Sequence, residues 1–289
     1  MTEKKPKRSF FTLYKTAISS LFAHKEIFFP FVIAAFIKFL FLEIIYFFPR
    51  APWSNMFGFI ISKLWGPDSM HFPHNFLLLQ HFFVKVEAPF YLLIDSYLIG
   101  VGVYIVHKIN NEEVLNIKQI FREVLSYYLY IVAAAALTFF LIKGWFFVAK
   151  LAYARAELIR STAGPFFFFF STIIYGYQYY NLLANVLFTT LFVYVLPVVV
   201  LEKISILKAI RLNFKMVFKY FWITFFTVFT TTLIYLFVIW FRNIYSHGIL
   251  DPGTIIWVLI AQICVTQFIY AIVYTAVATY YLLDKEGAL

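Results

Sequence analysis

Apolar runs of roughly 20 residues recur along this chain, and a helix of that length crosses the roughly 30 Å of hydrocarbon in a bilayer. Of the 289 residues, 63% are hydrophobic and 13% are charged, whereas an ordinary soluble domain has roughly 25% charged residues. A soluble domain of this size has too little interior for so many apolar side chains. The runs are apolar on every face, unlike the alternating strands of a membrane barrel. The sequence therefore predicts an all-α, polytopic membrane protein.

Six transmembrane helices account for these runs, within a single transmembrane domain over residues 1–289. Their predicted bounds are Ile27–Phe48, Ala88–Val106, Tyr127–Val148, Tyr180–Leu201, Tyr220–Trp240 and Ile255–Leu282. We place the N-terminus on the cytoplasmic side and count the 24 Lys and Arg residues by side. Fifteen then fall on the inner side and eight on the outer side, and Lys38 falls within the first span. Because Lys and Arg are enriched on the cytoplasmic side, we predict a bacterial inner-membrane protein with both termini in the cytoplasm.

A basic, amphipathic stretch precedes the first, third and fifth spans, at Phe11–Phe22, Asn116–Leu125 and Ile204–Lys219. Apolar residues recur at helical spacing, so we expect helices that lie in the interface with the apolar face toward the acyl chains. Each stretch and the two spans after it define a repeat-like unit (about residues 9–108, 112–201 and 203–282), unless the likeness is coincidental. The basic residues expected to face anionic headgroups are Lys15, Lys118, Arg122, Lys208, Arg211 and Lys215.

The third unit carries a family resemblance. An apolar run ends in Glu202–Lys203, and Ile204–Phe214 then continues as an amphipathic helix into the fifth span. This pattern resembles uncharacterised bacterial six-helix integral membrane families related to the membrane domain of glycerophosphodiester phosphodiesterases. Asn213 stands near the place where those families often have a serine, and no soluble phosphodiesterase domain is present in this chain. The resemblance therefore implies a fold and no catalysis.

Three ionisable residues fall within the first two spans, namely Lys38, Glu43 and Asp95. An unpaired charge at the bilayer centre costs about 3 kcal/mol on insertion scales, so such groups usually face a bundle interior and pair. Lys38 and Asp95 fall at similar depth in antiparallel spans, which predicts an ion pair between them. The pair is either a structural link or part of a substrate or proton site. A snorkelling Lys38, with Glu43 near the outer interface, is the alternative.

The segment before the fourth span contains the run Phe166–Phe170. Because Phe166–Leu201 is too long for one span, we expect a half-inserted or interfacial helix over Phe166–Ile174, followed by a break at Gly176. This helix is either embedded in the membrane or a docking surface for a lipid or a partner protein. Pro197 has no amide donor and is expected to kink the inner end of the fourth span.

Motifs for enzymatic chemistry are missing from the sequence: it has no glycine-rich phosphate loop, no HExxH and no serine elbow. Cys264 is the single cysteine, and His71, His74 and His81 do not complete a metal site. No metal or cofactor is therefore predicted.

The leading interpretation is a non-enzymatic structural or accessory component of a membrane complex or of lipid organisation. Its predicted contacts are membrane lipids with anionic headgroups and a protein partner, and not nucleic acid. The alternative is a small-solute or lipid transporter or channel that uses the polar bundle interior near Lys38 and Asp95. A membrane enzyme that acts on lipid ranks third.

Overall fold

The computed structural model describes residues 10–71, 74–160, 166–246 and 252–287, and all regular structure in these ranges is helical. The first six helices are α1 (Phe10–Ala23), α2 (Phe29–Phe47), α3 (Trp53–Trp65), α4 (His74–Phe90), α5 (Ser96–Asn110) and α6 (Ile117–Leu125). The next six are α7 (Tyr128–Arg160), α8 (Phe167–Phe192), α9 (Val195–Glu202), α10 (Ile206–Thr232), α11 (Tyr235–Ser246) and α12 (Ile255–Lys285). A π-helical turn at Tyr91–Asp95 joins α4 to α5.

Within these ranges, six helical runs are long and apolar enough to cross a membrane, so the prediction of an all-α polytopic protein is confirmed. The runs are Lys25–Phe47, Phe82–Asn110, Tyr128–Ile159, Phe167–Glu202, Ile206–Ile244 and Ile255–Lys285. Because six is an even number, both ends of the described chain lie on one side of the membrane. We call this the terminal side and the opposite one the far side.

Helices α5, α9 and α12 pack together at the centre of the bundle, toward the terminal side. Val101, Val198 and Val277, one from each helix, have no exposed surface and belong to one continuous hydrophobic cluster. Gly102 lets α2 approach α5 closely, because an added Cβ would come within 2.8 Å of Cε2 of Phe31. Close packing of this kind is what attracts helices to one another in lipid, where the surrounding acyl chains are as apolar as the side chains.

The three basic amphipathic stretches form α1, α6 and the first part of α10, and each packs on a different central helix. Helix α6 packs on α5, α10 packs on α9, and α1 packs on α12. Since α5, α9 and α12 also contact one another, the three segments are arranged around this central group, one on each of its helices. We call these three helical segments the basic ring. The same neighbour relation thus recurs in all three repeat-like units.

The apolar faces of the basic ring differ from the expectation that they lie toward the acyl chains. Leu13, Ala17 and Leu21 of α1 are almost fully buried within the protein. A second apolar surface remains exposed and available to lipid, as at Phe11 and Phe22. The reason is physical: an amphipathic pattern shows that one face is apolar, but not whether protein or lipid covers it.

The fourth span is interrupted at Val193–Tyr194, between α8 and α9. Pro197 has no N–H, and its ring clashes with the carbonyl four residues earlier, so the kink expected from Pro197 is present. Buried Asn213 of α10 fills the break: its Oδ1 accepts the Tyr194 N–H at 3.1 Å, and its Nδ2 donates to the Leu191 carbonyl at 2.7 Å. One side chain thus provides partners for two backbone groups in a region without water.

The break expected at Gly176 is wrong, because α8 continues without interruption from Phe167 to Phe192. The segment Phe166–Ile174 is therefore not a separate interfacial helix, and Gly164 and Pro165 lie outside the described residues. A single glycine costs a helix only about 1 kcal/mol relative to alanine. Gly176 provides space instead, since an added Cβ would come 2.5 Å from Cε2 of Tyr180.

Helix α10 has a non-helical backbone at Tyr220, with φ −125° and ψ 29°. This kink coincides with the predicted boundary between the third amphipathic stretch and the fifth span. Lys208, Arg211 and Lys215, before the kink, are exposed. The two parts of α10 therefore take different directions, which lets the basic part pack on α9 while the apolar part crosses the membrane.

We expect Asn213→Ala to lower the free energy of unfolding by about 2–4 kcal/mol. Two buried backbone groups lose their hydrogen-bond partner in this variant, and each unsatisfied group costs roughly 1–3 kcal/mol. Reversible unfolding in mixed detergent micelles measures this change. The matched control is Asn185→Ala, since the Asn185 side chain makes only a 3.5 Å contact with Thr189. An equal loss in both variants would contradict the role given to Asn213.

Candidate functional site

Lys38 is a buried cation in the middle of α2. The residue is 4% exposed, so its ammonium group is shielded from both lipid and water. A charge in this position costs several kcal/mol unless a neighbouring group compensates it. The local sequence is apolar, and the compensation has to come from another helix.

Asp95 supplies the opposite charge, at the end of the π-helical turn Tyr91–Asp95. A π turn holds one more residue than an α turn, and such turns often occur at functional sites. Pro89 lies just before it, inside α4. The Tyr128 hydroxyl of α7 donates to the Leu93 carbonyl of the widened turn at 3.0 Å, so a neighbouring helix provides a partner for this irregular backbone.

The predicted ion pair between Lys38 and Asp95 is present, with 2.5 Å between Nζ and Oδ2. The Gln267 Nε2 donates to the other carboxylate oxygen, Oδ1, at 3.3 Å. Both carboxylate oxygens therefore have partners, and the three residues join α2, α5 and α12. A buried ion pair is not by itself a strong source of stability, because desolvation offsets the attraction, but removal of one partner is costly.

Further polar groups surround the pair on the far side. The Glu87 Oε1 accepts a hydrogen bond from the Gln262 Nε2 at 3.4 Å. The rings of Tyr91 and Tyr274 both pack against the ring of Tyr270, with 6.1 Å between the ring centroids in each pair. The Gln267 Oε1 is buried and has no hydrogen-bond partner among the described residues.

A small cleft adjoins this polar layer, between α2 and α4, with a cavity volume of only about 10 Å³. Its lining residues are Lys38, Phe41, Phe83, Val86, Glu87 and Phe90. Lys38 and Glu87 thus both border this cleft, but the surface that faces it is apolar.

Glu43, the third ionisable residue singled out in the sequence, is not part of the ion pair. It lies further along α2 toward the far side and is half-buried. Asp95, in contrast, is bonded to Lys38 and Gln267.

The predicted basic residues are exposed and do not converge on a common pocket. Lys15 lies on α1, Lys118 and Arg122 lie on α6, and Lys208, Arg211 and Lys215 lie on α10. They are therefore distributed around the basic ring. This is an arrangement suited to an extended anionic surface rather than to one small anion.

A cluster of ionic contacts at the terminal side was not predicted from the sequence. The Tyr281 hydroxyl and the Lys285 ammonium group both donate to Oε1 of Glu202 at 2.9 Å. The Lys219 Nζ donates to Oδ1 of Asp284 at 2.5 Å. One signal was available: Glu202 and Asp284 each end an apolar span on the same side of the membrane and each precede a lysine.

Glu123 of α6 is held at the terminal side by hydrogen bonds from the Tyr104 hydroxyl and from the Gln119 Nε2. These bonds favour the ionised carboxylate and hold the pKa of Glu123 below its usual value of 4.5. A lowered pKa in the folded protein means that Glu123 stabilises the fold above about pH 4.5, and that this contribution is lost as the pH falls through the lower folded value.

Comparison of this chain with the profiles of known protein families, with curated protein sequences and with solved structures found no match. Among the described residues, no group of three His, Cys, Asp or Glu side chains could hold a metal ion. The polar layer and the basic ring are the two features of this structure that bear on its function.

We expect Lys38→Met to lower the free energy of unfolding by about 3–5 kcal/mol, because Asp95 is left buried without its counter-charge. The double variant Lys38→Met, Asp95→Asn should recover much of this loss, since no charge then remains uncompensated. Denaturant unfolding of the two variants in micelles measures the difference. A single variant as stable as the wild type would show that the ion pair does not hold these helices.

We expect Tyr104→Phe to raise the pKa of Glu123 toward 4.5 and to destabilise the protein more at neutral pH than in acid. The reason is that the lost hydrogen bond favours the ionised form alone. Unfolding measured over a pH series gives the difference from wild type, which should shrink as Glu123 becomes protonated. Tyr130→Phe, at an exposed tyrosine of α7, serves as the control, and a pH-independent difference in Tyr104→Phe would refute the assignment.

Proposed function

We propose that this chain is a non-enzymatic integral protein of the bacterial inner membrane, with its terminal side in the cytoplasm. In this proposal it is a structural or accessory component of lipid organisation or of a membrane complex. The observation that carries the proposal is the basic ring, in which three amphipathic segments each pack on a different central helix at one end of the apolar bundle. The excess of Lys and Arg on the terminal side supports the orientation.

The exposed surface of the basic ring combines apolar and basic side chains. In α1, Phe11 and Lys15 are both exposed, and in α10 Leu207 and Lys208 are adjacent and exposed. This combination suits the boundary between headgroups and acyl chains. Each Lys or Arg near an anionic membrane surface contributes about 1 kcal/mol of attraction. Anionic lipids are therefore the ligands that we propose for the ring.

A relation to the six-helix families linked with glycerophosphodiester phosphodiesterase membrane domains remains part of this proposal. Two residues of the motif make structural contacts in this chain. Glu202 accepts hydrogen bonds from α12, and Asn213 fills the break in the fourth span. These contacts support an architectural role for the motif rather than a catalytic one.

A small-solute or lipid transporter or channel is the second candidate, and the polar layer around Lys38 and Asp95 favours it, because intramembrane ionisable residues often line transport routes. Toward the terminal side, however, most buried side chains of α5, α9 and α12 are apolar, and Thr275 and the hydroxyl of Tyr280 are the kind of exception found there. The described residues of this centre include no buried Lys, Arg, Asp or Glu beyond the ion pair. The geometry gives more support to the accessory role.

We expect anionic lipid to raise the unfolding temperature of the protein, and we expect the triple variant Lys15→Gln, Lys118→Gln, Lys208→Gln to lose most of this increase. The variant removes one cation from each segment of the basic ring, or about 3 kcal/mol of attraction to an anionic surface. The measurement compares nanodiscs that contain phosphatidylglycerol with nanodiscs of phosphatidylcholine alone.

The matched control is Arg50→Gln, Lys63→Gln, Arg242→Gln, which removes the same number of exposed cations from the far side. It should keep the stabilisation by anionic lipid. An equal loss in the two triple variants would contradict the proposed role of the ring. If the protein carries a solute into liposomes, and if this flux is lost when Lys38 is replaced, the accessory role is wrong and the transporter candidate is favoured.

A further inference from the structure

Helix α3 lies outside the six membrane-spanning runs, in the connection between α2 and α4 on the far side. The Tyr46 ring near the end of α2 is 5.9 Å from the Phe76 ring near the start of α4, between ring centroids. The connection therefore begins and ends near one level. The Phe57 ring, in the first half of α3, is 5.1 Å from the Phe48 ring just after α2. These contacts hold α3 close to the point where α2 leaves the membrane.

One side of α3 is covered by protein. Gly58 and Ile61 are buried. The short 3₁₀ turn Pro67–Met70 packs on this side, where a Cβ added at Gly58 would come 3.3 Å from Cε of Met70. The helix is thus attached to the rest of the chain through a defined face, and its other face points away from that turn.

The other face of α3 is apolar and exposed. Met56, Phe59 and Ile60 are 65%, 77% and 52% exposed, and their offsets of three and four residues place them on one side of the helix. Lys63 is also exposed, and its Nζ lies 5.9 Å from the centroid of the Phe59 ring. The helix therefore presents an apolar patch with a cation beside it.

This patch continues the surface that α2 presents to lipid. Val32, Phe36, Leu40 and Phe47 of α2 are exposed along a span that crosses the hydrocarbon, so acyl chains cover them. The far end of that surface is six residues from the start of α3. Helix α3 also begins and ends at a tryptophan, a residue type that is enriched at the membrane–water interface. Lipid is therefore the occupant that the surroundings of the patch favour.

We propose that α3 is an interfacial helix that lies along the membrane surface and binds phospholipids of the far-side leaflet. Acyl chains pack against Met56, Phe59 and Ile60, and the Lys63 ammonium group reaches toward the headgroup phosphates along its apolar stem. Phosphatidylcholine and phosphatidylglycerol both carry this phosphate. The contact is therefore independent of the preference for anionic lipid that we propose for the basic ring.

The apolar faces of α3 and α1 have different surroundings. In α1, Leu13 and Leu21 have no exposed surface, because other helices of the bundle cover them. In α3 the corresponding apolar side chains are more than half exposed. An amphipathic helix whose apolar face is left open at the membrane boundary gains stability by placing that face among acyl chains.

Spin labels on the full-length protein in phosphatidylcholine nanodiscs test the proposal. Nitroxide labels are attached one at a time at Met56→Cys, Phe59→Cys and Ile60→Cys, in a Cys264→Ala background because Cys264 is exposed. Collisions are measured with O₂, which concentrates among acyl chains, and with a water-soluble nickel chelate. The O₂-to-nickel ratio should be high at all three positions. Met56 and Ile60 are one turn apart along α3, so a helix parallel to the surface gives them similar ratios.

Two further positions serve as controls. Leu40→Cys, on the exposed surface of α2, gives the ratio for a label among acyl chains. Asp68→Cys, at an exposed carboxylate of the turn beside α3, gives the ratio for a label in water. The three α3 labels should have ratios several-fold above that of Asp68. All five labels replace exposed side chains, so the packing of α3 on the turn is retained.

Each remaining outcome overturns the proposal. If the label at Phe59 collides mainly with the nickel chelate, the patch faces water. If neither reagent reaches it, protein covers the patch, and a second copy of this chain becomes the occupant. A ratio that rises or falls steeply from Met56 to Ile60 shows a helix that points along the membrane normal. None of these results would bear on the basic ring, because the nanodiscs contain no anionic lipid.

Discussion

Hydrocarbon offers no hydrogen-bond partners, and this structure depends on that constraint more than on any single contact. Two irregular points of the backbone and one buried charge are each matched by a side chain from another helix. Asn213 provides partners for the break between α8 and α9, Tyr128 binds the carbonyl of Leu93 in the π-helical turn, and Asp95 neutralises Lys38. These contacts determine which helices are neighbours, because a polar group left without its partner would cost several kcal/mol. These side chains supply the hydrogen-bond partners that water supplies to the loops of a soluble protein.

The bundle separates two environments along the membrane normal. Toward the terminal side, α5, α9 and α12 form a mostly apolar centre with the basic ring packed on it. Ionic contacts at Glu202 and Asp284 join the end of α9, the kinked part of α10 and the end of α12. Further toward the far side lies the polar layer of Lys38, Asp95 and Glu87, beside a cleft. The two environments have different chemistry: the ring presents positive charge to a surface, and the polar layer holds an ion pair that is buried between helices.

The sequence allowed a correct prediction where a residue type can be accommodated in only one way. Lys38 in an apolar span requires a negative partner, and Asp95, at a similar depth in the next span, is that partner. Pro197 interrupts its helix because it lacks an N–H, and Tyr220 lies where the amphipathic pattern of α10 ends. Reasoning failed at Gly176, because a glycine in a helix has several uses, and in this chain the missing Cβ makes room for Tyr180. It also missed the contacts of Glu202 and Asp284, since each depends on a residue from another span.

The sequence by itself determined that this is an all-α membrane protein with six spans and three basic amphipathic segments, because the length of an apolar run and the spacing of charges are local properties of the chain. Only the tertiary structure decided what those segments cover. The closure of α1 onto α12, the use of Asn213 as a partner for a broken helix, and the approach of Glu87 to the ion pair each join residues far apart in the chain. Such contacts follow from how the helices pack, and helix packing in lipid depends on the fit of whole surfaces rather than on any one stretch of sequence.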